Sequence, residues 1–201
     1  MERGCNEEVK AMNAKENILN RLRAAQGAGI EKPKPTFEPI RFEDSVAHFA
    51  EMVKAVGGDV VTMQNSLVET LAAVGVDTSN LVSPLAELQD KALNPDTVAD
   101  VGELGGVYTA VVGGKVGVAE NGAVWIPVEG RRKAHIFACN HLVIVLDGGC
   151  VVDTMHDAME RISLEGVGYG AFVSGPSKTA DIEQALVFGA HGAMKTTIIL
   201  C

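Results

Sequence analysis

A glutamate on a glycine-rich turn is the first group in this sequence that could be catalytic. Glu120 lies between two apolar segments, in the run Gly113-Gly114-Lys115-Val116-Gly117-Val118-Ala119-Glu120-Asn121-Gly122. A carboxylate there can act as nucleophile or base, and glycine lets a substrate approach the backbone closely. A polar turn residue can equally accept hydrogen bonds from backbone amides of its own turn. We treat Glu120 as the candidate catalytic residue and Asn121 and Gly122 as candidate ligand contacts.

A second set of polar groups lies near the C-terminus, in Ser174-Gly175-Pro176-Ser177-Lys178-Thr179-Ala180-Asp181-Ile182-Glu183. The pattern predicts a strand over 169–173 and a helix that begins near 177–179 and ends at Gly189. Hydroxyls and one ammonium at a helix start could bind a carboxylate or phosphate, or they could cap the helix. The candidate ligand contacts are Gly175, Ser177, Lys178, Thr179 and Asp181.

Histidines offer weaker candidates. His191 follows the same segment in Gly189-Ala190-His191-Gly192 and is either a base at the mouth of a site or a structural histidine. His135, Cys139 and His141 would share one face of a continuous strand, but their spacing supplies no fourth ligand. We therefore predict no metal site.

The elements that must position these groups alternate between helices and strands. Helices are predicted after Asn13, over about 44–56 and from Ser66 to Val74, and 151–162 is predicted as a fourth helix. Strands are predicted at 59–62, 81–82, 107–112, 123–128, 142–145 and 197–200. Glycines and Pro33, Pro35 and Pro39 make residues 27–40 an extended linker, so the predicted domains are 1–40, a helical arm, and 41–201.

This order predicts an α/β fold with a mixed, largely parallel sheet flanked by helices. The strand at 169–173 is expected near the centre of its sheet and parallel to the strand at 197–200, with the helix between them as the crossover. Ligands of such sheets bind beyond the carboxyl ends of the strands. Both glycine turns are therefore expected to face one cleft, with Glu120 on one wall and Ser177, Lys178 and Thr179 on the other.

Composition narrows the functional classes. The chain has 201 residues, 47% of them hydrophobic, and a net charge of −9, which argues against nucleic acid or an anionic membrane as the main partner. The longest aliphatic run, 142–146, is far shorter than a membrane span, and we expect a cytoplasmic protein. Four cysteines occur without a Cys-x-x-Cys pair, so no iron-sulfur cluster is expected in this chain.

The segments at 174–183 and 189–192 together resemble the C-terminal signature of the lactate utilization protein C family, the LUD-domain family. This chain has Ala193 and Met194 where the family usually has proline and arginine. The turn at 119–122 is similar to one in the same family and to the turn that carries the nucleophilic glutamate of class I CoA transferases. The resemblance implies the fold of ribose-phosphate isomerases, glucosamine-phosphate deaminases and CoA transferases.

The resemblance also implies a function, namely a component of the cytoplasmic system that oxidises L-lactate to pyruvate with iron-sulfur partner proteins. On that reading the chain itself carries no cofactor, and its role is to bind or orient the substrate or to assemble with the partner proteins. One alternative is an independent enzyme of the CoA-transferase or sugar-phosphate isomerase type that uses Glu120 on a small carboxylate or phosphate ligand. The other is a non-catalytic assembly subunit. The N-terminal helix could pack on its own domain or on a second copy, which would give a homo-oligomer.

Overall fold

The computed structural model describes residues 14–25, 38–76, 78–104, 106, 108–128, 130, 133–182, 185–189 and 192–201. It divides into two units, residues 1–38 and 39–201. The first contains helix α1 (Ala14–Ala25), whose apolar side chains Ile18, Leu19 and Leu22 are exposed. All other elements belong to the second unit. No helix within the described ranges has the length and apolar character to cross a bilayer.

The described residues of the second unit form three further helices, which are α2 (Ser45–Ala55), α3 (Leu67–Ala73) and α4 (Met155–Arg161). Each begins at a side chain that caps its first turn. Asp44 accepts a hydrogen bond from the amide of Ala47, and Ser66 does the same for Glu69. Thr154 and Asp157 form a reciprocal capping box at α4. The predicted starts of α2 and α3 are therefore confirmed.

Five strands form a sheet in which every pair is parallel. Their order is β1 (Asp59–Thr62), β11 (Lys195–Leu200), β6 (His141–Leu146), β3 (Thr109–Gly113) and β2 (Leu81–Val82). Strand β6 lies at the centre, and it is apolar on both faces because helices or strands cover both. This parallel sheet agrees with the predicted fold class.

A second sheet has four strands, in the order β7 (Val151–Val152), β4 (Val116–Val118), β5 (Ala123–Val128) and β8 (Tyr169–Val173). The main hydrophobic core of the unit lies between the two sheets, where Ile126 of β5 is buried with Ile144 of β6 and Phe49 of α2. Helix α3 covers the other face of the parallel sheet, and α4 covers the other face of the second sheet. Short 3-10 helices lie in the connections, at Ala86–Leu88, Val101–Leu104, Lys133–Ile136 and Gly148–Cys150.

The prediction for the C-terminal segment is wrong in two respects. Strand β8 is an edge strand of the four-stranded sheet, antiparallel to β5, and does not share a sheet with β11. The predicted helix is a two-stranded hairpin of β9 (Lys178–Ile182) and β10 (Ala185–Phe188). Gly189 closes the hairpin base by donating its N–H to the carbonyl of Ser177. The few apolar residues of this segment fit the spacing of a helix as well as that of a strand, and the pairing of the two strands decides between these structures.

The predicted helix over 151–162 is partly wrong for a related reason. Val151 and Val152 pair with β4 as strand β7, and the helix begins only after Thr154. The two β-branched residues find a strand partner, so they extend the sheet instead of the helix.

The amino-terminal edge of the parallel sheet contains a half-buried histidine. The Nε2 atom of His141 lies 2.9 Å from Thr197 Oγ1 of the neighbouring strand. Burial, with the charge of Lys195 adding to it, lowers the pKa of His141 to about 4 from its ordinary 6.5. The folded state therefore favours the neutral imidazole.

This pKa predicts a pH dependence of stability. Because the folded pKa lies below the unfolded one, the stabilisation is fully present above about pH 6.5 and is lost as the pH falls toward 4. Urea unfolding should show that the free energy of unfolding decreases less from pH 7 to pH 5 for His141→Gln than for the wild type. An equal loss in both proteins would contradict the assignment to His141.

Candidate ligand-binding site

The turn that carries Glu120 connects β4 to β5 and supports the start of helix α4. Glu120 Oε1 accepts a hydrogen bond of 2.8 Å from the N–H of Met155, the first residue of α4. The N–H of Glu120 donates to the carbonyl of Asp153 over 3.0 Å. The carboxylate thus satisfies an amide that has no partner within its own helix. This geometry favours the structural role among the two that the sequence allows.

The two glycine turns of the sequence do meet, through Ser174. Its hydroxyl donates to the carbonyl of Asn121 over 2.8 Å, and Asn121 Oδ1 accepts the N–H of Ala123 over 3.0 Å. Gly122 and Gly175 both have a positive φ, 64° and 69°. A Cβ on Gly122 would lie 2.8 Å from the N atom of Val53 in α2, and one on Gly175 would lie 2.7 Å from the carbonyl of Val56, the residue that caps α2, so glycine is required at both positions. The turns are docking points for α2.

The remaining predicted contacts have varied surroundings. Ser177 donates its N–H to the carbonyl of Ala193, and exposed Lys178 opens strand β9. Thr179 and Asp181 follow in the same strand, but their side chains are not described. His191 lies outside the described residues. The helix start at which these residues were expected does not form, because Lys178 to Ile182 are strand β9 of a hairpin.

The three candidate metal ligands are separated as well. His135 lies in a 3-10 helix, Cys139 follows it, and His141 begins β6. In the part of the chain that is described, no three His, Cys, Asp or Glu groups come together in a way that could hold a metal ion. Burial raises the pKa of Cys139 to about 11, so its thiol is protonated at neutral pH and behaves as a small apolar group.

An ion-pair network holds α4 from its other side. Arg41 Nη2 lies 3.1 Å from Asp157 Oδ1, and Nη1 lies 3.3 Å from Asp153 Oδ2. The hydrogen bond from Arg41 is the main cause that lowers the pKa of Asp157 to about 2. Asp157 is therefore ionised in its capping box at neutral pH. The three charged residues therefore have a structural role, because they stabilise the start of α4.

A cavity lies instead at the carboxyl ends of β2 and β3. Its volume is about 430 Å³, and one wall comes from β5 of the second sheet. Its lining includes the polar residues Asn94, Asp96, Lys115 and His135, and the apolar residues Leu85, Val112, Ile126 and Ile136. The cavity occupies the edge at which parallel sheets bind ligands. We call it the edge cavity.

Lys115 supplies a cation to this cavity directly after β3. The lysine follows Gly113 and Gly114, and its N–H donates to the carbonyl of Trp125 over 2.9 Å. Its side chain is exposed and, among the described residues, has no carboxylate within ion-pair distance. The sequence interpretation placed this glycine turn beside a ligand but overlooked Lys115. A lysine after paired glycines at the end of a buried strand was the signal available.

The edge cavity also contains hydrogen-bonding groups. Asn94 Oδ1 accepts the N–H of Asp96 over 2.9 Å, which leaves its amide NH₂ as a donor. The carboxylate of Asp96 lies beside Gly130, where a Cβ would be 2.0 Å from Oδ2. His135 is 4% exposed, and its carbonyl accepts a hydrogen bond from the Tyr108 hydroxyl. One cation and several hydrogen-bonding groups suit a small anion that also carries a hydroxyl.

The role of Glu120 as a helix cap predicts a graded loss of stability. Glu120→Ala should lower the unfolding free energy by about 1 kcal/mol, because an amide loses its acceptor. Glu120→Gln should lower it less, since its carbonyl oxygen can still accept. Glu160→Ala, a change on the exposed surface of the same helix, is the matched control for urea unfolding. Full stability in both Glu120 variants would contradict the capping role and restore the catalytic one.

Comparison with known proteins supports the resemblance found in the sequence. Residues 103–201 match the family model of the LUD domain. The chain is 28% identical to an uncharacterized protein of Neisseria meningitidis serogroup B, over 94% of this chain and 93% of the relative. The fold is similar to the crystal structure of a DUF162 family protein from Deinococcus radiodurans, with a TM-score of 0.55 over 81% of this chain and 99% of that chain, at 13% identity. Such low identity supports the fold alone. The domain match, the signature segments and the fold therefore agree, and residues 103–201 are similar to the LUD domain.

Proposed function

We propose that this chain is the substrate-binding subunit of a cytoplasmic system that oxidises L-lactate to pyruvate, similar to lactate utilization protein C. The proposal draws its general direction from the LUD domain at residues 103–201. The observation that carries it is the edge cavity, in which Lys115 stands at the end of a parallel strand beside hydrogen-bonding groups. A small 2-hydroxycarboxylate is the ligand that this set of groups suits best.

The charges of the cavity suggest one orientation for lactate. Its carboxylate pairs with the ammonium of Lys115, because an anion is attracted to that cation and repelled by Asp96. The hydroxyl then lies toward Asn94 and Asp96, where it can donate and accept hydrogen bonds. The methyl group packs on the apolar lining, for example Ile126 and Val112. Each of the three groups on the chiral carbon has its own surroundings, which favours one enantiomer.

The oxidation itself requires an electron acceptor. Lactate loses two electrons and two protons when its C–OH carbon becomes the carbonyl of pyruvate. The sequence has neither a Gly-x-Gly-x-x-Gly turn nor a Cys-x-x-Cys pair, and the resemblance implies iron-sulfur partners. We therefore assign the electrons to clusters in partner proteins, with this chain orienting the substrate toward them. Glu120 has no part in this reaction, because it caps α4 and is not among the residues that line the edge cavity.

We predict that the full chain binds L-lactate. Calorimetric titration should detect L-lactate, and Lys115→Gln should weaken it about tenfold or more, because a hydrogen bond between charged groups is lost. Gly113→Val should also weaken it, since a Cβ at Gly113 would meet only Leu85 Cδ2, at 3.7 Å, and the added side chain would take up space in the cavity. Lys54→Gln, which removes an exposed lysine of α2, is the matched control. Unchanged affinity in both cavity variants would overturn the assignment of the site.

We also predict that the chain associates with iron-sulfur partner proteins. The chain purified from its native cell should bring down proteins whose visible absorbance bleaches on reduction, as expected of iron-sulfur clusters. The chain purified alone should be colourless. Recovery of the chain without coloured partners, while it still supports lactate oxidation by itself, would contradict the subunit role and favour an independent enzyme.

A further inference from the structure

A second cavity lies on the opposite side of the four-stranded sheet, beneath the segment that follows α4. Its volume is about 460 Å³. Its lining includes Val116 and Trp125 of the sheet, and Ile162 and Val167 of the segment that follows α4. We call it the tryptophan cavity. This volume falls in the range of cavities that bind small molecules.

Two cations stand at the rim of this apolar space. Arg161, the last residue of α4, and Lys115 both line it, and Glu165 is the one carboxylate among the lining residues that the structure describes. Arg161 is exposed and, in the described part of the chain, forms no ion pair. The balance of charge therefore favours an anion at the rim above an apolar interior.

The indole of Trp125 is held in place by the neighbouring strand. Its ring lies over Gly170 of β8, where a Cβ would be 2.4 Å from the ring, and its centroid is 5.1 Å from that of Phe172. Because its neighbours fix the ring, it offers a rigid, flat wall on which another ring can stack at little entropic cost.

We propose that the tryptophan cavity binds a small aromatic carboxylate, with its ring against Trp125 and its carboxylate at Arg161 and Lys115. This ligand differs from lactate, the substrate proposed for the edge cavity, because it carries an aromatic ring that can stack on the indole. Lys115 lines both cavities, so a ligand in one affects the charge available to the other.

The chain provides its own probe, because Trp125 is its single tryptophan. Titration with 3-phenylpropanoate should change the tryptophan emission with saturation. Propanoate, which lacks the ring, and 3-phenyl-1-propanol, which lacks the charge, should bind at least about tenfold more weakly. Equal binding of the acid and the alcohol would overturn the proposal, since it would mean an apolar cleft without a role for the cations.

A substitution separates this site from the edge cavity. Arg161→Gln should weaken 3-phenylpropanoate about tenfold and leave L-lactate binding unchanged. Gly113→Val should do the reverse. Arg23→Gln, which removes an exposed arginine of α1, is the matched control. If Arg161→Gln has no effect on 3-phenylpropanoate, the proposal is wrong whatever the outcome for lactate.

A chemical readout that does not depend on fluorescence is available at Cys150. This half-buried thiol lines the tryptophan cavity, whereas Cys201 is exposed and is not among its lining residues. Bound 3-phenylpropanoate should slow the alkylation of Cys150 and leave the rate at Cys201 unchanged, as measured by mass spectrometry of the digested protein. Equal rates at Cys150 with and without the ligand would contradict binding in this cavity.

Discussion

The crossing of the chain from one sheet to the other at Gly114 is the constraint on which the rest of this structure depends. Strand β3 ends in the parallel sheet at Gly113, and β4 begins in the second sheet at Val116. A Cβ on Gly114 would lie 2.5 Å from Val124 and 3.0 Å from Ile144, one in each sheet. The sheets can pack at their present distance only because that atom is absent. Lys115 follows at once and is thereby held between two cavities.

Helix α2 depends on the same kind of close approach. Gly122 and Gly175 bring two separate turns against its backbone, while Gly117 lets β4 pack on Phe49 of the helix. These glycines lie in or beside the segments that carry the family resemblance. Much of what resembles an active-site motif in this sequence is therefore required for docking α2 between the sheets. The hydrogen bond from Met155 to Glu120 belongs to the same packing, because it anchors α4 to the turn that contains Gly122.

The fold class and most elements could be predicted because local signals and burial agree. Asp44 and Ser66 are good helix caps, and the aliphatic run at 142–146 is the central strand. The hairpin of β9 and β10 could not be predicted, since a short segment whose apolar residues fit both helical and strand spacing is decided by strand pairing. The edge position of β8 was hidden as well, because a half-buried edge strand and a central strand can share the same residue types. Arg161 gave no signal, since it is an ordinary charge at a helix end until Trp125 is folded beside it.

We propose that L-lactate binds beside Lys115, where the two sheets join, and not at the signature turns. A crystal structure of the full chain grown with L-lactate is the direct test. We expect lactate in the edge cavity, with its carboxylate on the ammonium of Lys115 and its methyl group on the wall formed by β5. Lactate bound against Glu120 and Asn121, or against Ser177 and Lys178, with the edge cavity free of it, would contradict this placement.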